Sequence, residues 1–95
     1  MKSRIEAACK EALKRWGSNL QIDMMIEESA ELTKALLKFR RNGGSIPDYV
    51  LEEIADVSLM IEQMKILFGI SAVEQFEIQK LERLEQMLRE PLACK

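Results

Sequence analysis

Apolar residues recur every three to four positions along the chain, and no strand-like alternation competes with that period. Breaks divide the pattern into four segments: Gly17, Asn42-Gly43-Gly44, Gly69 and Pro91. Four serines, each followed three residues later by an acid or Gln, read as capping boxes that start the segments: Ser3…Glu6, Ser18…Gln21, Ser45…Asp48 and Ser71…Glu74. Pro47 falls in the first turn of the third segment, where its missing N–H does no harm. The expected helices cover 4–16, 19–41, 46–68 and 72–90. Their short connections favour antiparallel neighbours, so the fold expected is all-α, a four-helix bundle in a single domain over 1–95.

Projection at about 100° per residue places one apolar stripe on each helix. The first holds Ile5, Ala8, Cys9, Ala12, Leu13 and Trp16. The second holds Ile22, Met25, Ile26, Leu32, Leu36, Leu37 and Phe39. The third holds Val50, Ile54, Val57, Met60, Ile61, Met64, Leu67 and Phe68. The fourth holds Val73, Phe76, Leu84, Met87 and Leu88. The third helix carries a second apolar line, Ala55, Leu59, Ile66 and Ile70, and a helix apolar on two faces is central or lies at an interface. A homodimer or homotetramer is therefore expected.

Charged residues interrupt these stripes. Glu53 falls between Met60 and Met64 in projection, with Asp56 at the stripe's edge. Glu28 and Glu31 line the edge on the second helix, and Lys80 lies among Val73, Phe76, Leu84 and Met87 on the fourth. A buried charge must be paired, neutralised or bound to an ion. A core salt bridge between Lys80 and Glu53 is the plain alternative, but one lysine cannot neutralise four carboxylates. Residues three apart share a helix face. Two such pairs on facing helices form an all-oxygen cage that suits magnesium or manganese rather than zinc.

Composition narrows the chemistry. The 95 residues contain no histidine, which removes His bases, His-dependent triads and most zinc sites. Charged residues make up 32% with a net charge of −2, and no basic block points to a nucleic-acid polymer. Cys9 and Cys94 lack metal-site spacing, and no apolar run is long enough for a membrane span. A cytoplasmic, reduced setting is expected.

The segment Glu27-Glu28-Ser29-Ala30-Glu31, followed after a gap by Glu53-Ile54-Ala55-Asp56, resembles the EExxE…ExxD signature of the MazG-like nucleotide pyrophosphohydrolases. The likeness extends over about residues 12–85. It implies magnesium-dependent hydrolysis of a nucleoside triphosphate to the monophosphate and pyrophosphate. Glu28, Glu31, Glu53 and Asp56 would hold the metal, with Glu27 as a supporting group or the base. Many relatives carry a Lys and a nearby Asn on the last helix. Here Lys80 matches the Lys, and Arg83 stands where the Asn is expected, so the sugar contact departs from the pattern. Lys38 follows the first motif and is a further phosphate candidate. Trp16 is a candidate for stacking on a base, with core packing the alternative favoured by its stripe. Competing readings are a phosphoribosyl-ATP pyrophosphohydrolase-like activity and a non-catalytic helical oligomerisation module.

Overall fold

A computed structural model describes residues 1–90, and the expected stop at Pro91 and the thiol of Cys94 lie outside them. Four helices account for the described residues, with no strand: α1 (Lys2–Trp16), α2 (Ser18–Asn42), α3 (Asp48–Phe68) and α4 (Ile70–Arg89). The expected bounds hold to within two residues.

The glycine breaks act as expected. Gly17, Gly43 and Gly69 have φ of 87°, 64° and 117°, and their N–H groups bond to the carbonyls of Leu13, Phe39 and Lys65. The capping boxes do not form. The N-caps are Met1, Gly17, Pro47 and Gly69, and no side chain caps any of the four helices. Gly17 and Gly69 each end one helix and begin the next, so the one-residue linker leaves no cap position for a serine. Their carbonyls take the first bonds of the following helices, from Gln21 and Val73. Pro47 is the N-cap just before α3 rather than a residue of its first turn, because the helix starts two residues later than expected.

The core is small and centres on α3, which packs chiefly on α2 and also on α1. Cys9, Ala35, Val50, Val57 and Met60 form its apolar part. The stripe on α3 is buried at Val50, Val57 and Met60, whereas Ile54, Ile61 and Phe68 are exposed. On α2 the inward face differs from the expected stripe. Of the expected stripe, Ile22, Met25, Leu32 and Phe39 are half-buried while Ile26, Leu36 and Leu37 face out; the fully buried residues are Gln21 and Ala35, with Met24 and Glu28 half-buried beside them. An apolarity projection gives Gln21 and Glu28 no weight, so it misses their place on this face.

Helix α4 has no buried residue, and Phe76, Leu84 and Leu88 are exposed. Among the described residues it touches α3 alone, where Lys65 Nζ on α3 lies 3.1 Å from Glu77 on α4. The radius of gyration is 16.3 Å, against about 12 Å for a compact chain of this length.

Candidate metal centre

Helices α2 and α3 run antiparallel, and equal steps forward on one match equal steps back on the other. Gln21 Nε2 donates to Gln63 Oε1 at 2.6 Å. One turn further, Met24 and Met60 line the same cavity. One more turn brings Glu28 to Glu53 and Asp56, whose carboxylate oxygens can lie within 4.8 Å of one another. Ala35 and Val50 close the far end as small buried residues.

The three acids differ in setting. Glu28 and Glu53 are half-buried and Asp56 is exposed. Oε1 of Glu53 is sealed from solvent and has no hydrogen-bond partner. Burial pushes the Glu53 carboxyl above its ordinary pKa. The nearby carboxylate of Glu28, and then the charges of Asp56 and Glu31, push it further. An all-oxygen donor set with an unpartnered, sealed carboxylate oxygen fits a hard divalent cation. Among the described residues no thiol joins the cluster, and the chain has no imidazole, which disfavours zinc.

The remaining candidates are placed as follows. Glu31 is exposed, stands outside the converging trio and acts on Glu53 through its charge. Glu27 is exposed. Lys38 lies 4.8 Å over the ring of Tyr49, a cation–π contact. Lys80 and Arg83 are exposed on α4, and among the described residues neither forms an ion pair, so the salt bridge of Lys80 with Glu53 is not made. Trp16 is 55% exposed rather than packed in the core, and it borders the cavity next to Gln21 and Gln63. Its α1 stripe buries Cys9 instead, whose thiol is raised by burial and by Glu62.

Gln63 is the residue that the apolar stripes pass over. Its signal is spacing: Glu53, Asp56, Met60 and Gln63 follow one another at three- and four-residue steps on one face. Gln21, expected to serve a capping box, is buried as its partner.

Compared with known proteins, the chain matches no family model, no curated protein and no solved structure.

Proposed function

We propose that the chain is a cytoplasmic, metal-dependent nucleoside triphosphate pyrophosphohydrolase of the MazG-like kind, releasing a nucleoside monophosphate and pyrophosphate. One observation carries this reading: Glu53 turns a carboxylate with a sealed, unpartnered oxygen onto Glu28 and Asp56. Such a cluster is costly unless a proton or a cation balances it. Glu28, Glu53 and Asp56 would hold magnesium or manganese, with Glu31, whose charge acts on Glu53, as a further carboxylate on the same helix as Glu28.

The bound ion supplies charge neutralisation at the phosphates and a more acidic water. The protein's own part is placement. The buried packing of α2 on α3 fixes Glu28 and Glu53 before substrate arrives, so little ordering remains at the moment of reaction. Glu27, one position from Glu28 and open to solvent, is available as a base or a support.

The phosphates also need cations from the protein, and Lys80 and Arg83 lie on α4, the helix without a buried residue. Soluble monomers rarely leave a large apolar face uncovered. We read this face as covered in a homodimer or homotetramer, the assembly in which Lys80 and Arg83 meet the substrate. The same bare face is what favours a second reading, a purely structural oligomerisation module.

Melting curves separate the two readings. Magnesium at millimolar concentration raises the midpoint above that in EDTA if the acids bind it in the folded state. An unchanged midpoint favours the structural module.

A further inference from the structure

The buried amide pair beside the acids has more to offer than its own bond. Gln21 is 5% exposed and Gln63 8% exposed, and they spend one donor and one acceptor on each other. Each amide carries a carbonyl oxygen and two N–H donors. Among the described residues, Gln21 Oε1 accepts nothing, and Gln63 Nε2 makes one bond, a weak one to the Met60 sulfur at 3.7 Å. Gln21 Oε1 is also not sealed from solvent. The bonded pair therefore holds one free acceptor and one underused donor. They border a cavity of about 380 Å³ whose other walls are Trp16, Leu20, Met24 and Met60.

We infer that this cavity takes a nucleobase, stacked against Trp16 and Met24 and read on its Watson–Crick edge by Gln21 and Gln63. The inference deepens the nucleotide reading of the carboxylates and rests on it. Three features agree. Trp16 offers an open aromatic face, and base–aromatic stacking is a general source of affinity. Glu28 lies four residues from Met24 and seven from Gln21, about 6 and 10 Å along the helix. That gap leaves room for a sugar between base and phosphates. Every nucleobase also presents a donor beside an acceptor on its pairing edge.

The amide pair makes the subsite tolerant. If both amides turn over together, their mutual bond survives, and the free donor and acceptor exchange places. Amino-bearing and keto-bearing bases are then accepted alike. A base methylated on its pairing-edge ring nitrogen is not, because the methyl group removes the donor and fills its space.

The chain has one tryptophan, so Trp16 fluorescence reports directly on the cavity. The full-length protein is titrated in EDTA with thymidine monophosphate, deoxyadenosine monophosphate, N3-methylthymidine monophosphate and ribose 5-phosphate. Saturable quenching by the first two is expected. The methylated nucleotide should bind about tenfold more weakly or worse, as two lost hydrogen bonds imply, and ribose 5-phosphate should not quench. The double variant Gln21→Leu/Gln63→Leu should lose a similar factor for thymidine monophosphate while keeping its helical circular dichroism. Equal binding of methylated and unmethylated nucleotide overturns the inference on the wild-type chain alone, whatever the variant does. Because no metal is present, failure here with intact magnesium-dependent turnover removes the base subsite only. Binding without turnover removes the hydrolase reading only.

Discussion

Gln21 and Gln63 are joined at 2.6 Å, and each stands seven residues from an acid of the candidate centre: Gln21 from Glu28, Gln63 from Asp56. Seven residues are two helical turns, so each Gln and its acid share a face. The bond is a register pin, because sliding α3 by one turn to bring another residue opposite Gln21 would also pull Glu53 and Asp56 away from Glu28. Single Gln63→Leu leaves a buried amide unpaired and should cost about 1–3 kcal/mol. The double leucine variant removes both polar groups and should cost less than that single change. Urea unfolding of the three proteins checks this, and a double variant less stable than the single one contradicts it.

The acid cluster sets a pH dependence. Glu53 titrates above its ordinary carboxylate range because of burial first, then Glu28, Asp56 and Glu31. In the window between its unfolded and folded pKa values the native state holds the extra proton. Stability of the metal-free protein therefore falls as pH rises through that window and levels off above it. Melting in EDTA from mildly acidic to neutral pH should show this fall. The same series with magnesium should show it reduced or reversed, since protons and metal compete for the same oxygens. A flat EDTA profile would mean that Glu53 is not perturbed.

Gly69 joins α3 to α4 with φ of 117°, ψ of 110°. A Cβ there would meet Ala72 Cβ at 3.7 Å, an ordinary contact, so the cost of substitution is conformational rather than steric crowding by neighbours. Gly69→Ala should destabilise by about 1–3 kcal/mol, measured by chemical denaturation. A neutral effect would show that α4 can leave α3 at another angle.

The bare face of α4 predicts assembly. Wild-type protein should scatter light as a dimer or larger at micromolar concentration, and Leu84→Asp with Leu88→Asp should shift it toward monomer without loss of helix. A wild-type monomer contradicts this reading.

The sequence discloses the architecture where local chemistry decides it. The positive φ at Gly17, Gly43 and Gly69 needs glycine, so the breaks stand out, and Val50, Val57 and Met60 repeat at helical spacing. Serine starts mislead because the linkers at Gly17 and Gly69 are one residue long, a tertiary economy that leaves Ser18 and Ser71 inside helices. The inward face of α2 is hidden for a different reason. It includes the polar Gln21 and Glu28, whose burial depends on the partner helix and not on their own apolarity. Of the site, the trio Glu28, Glu53 and Asp56 is visible in the doubled motif. Trp16 on the cavity wall and the place of Gln63 emerge only when α1, α2 and α3 are set together.

The central claim is tested most directly by phosphorus NMR of a reaction containing the protein, magnesium and a panel of deoxynucleoside triphosphates. The expected products are pyrophosphate and monophosphate in equal amounts. Glu53→Gln should be slower by at least about a hundredfold, more than outer partners of a metal site usually cost, and should fold as the wild type does. Orthophosphate with a nucleoside diphosphate as products, or full activity in Glu53→Gln, would contradict the account.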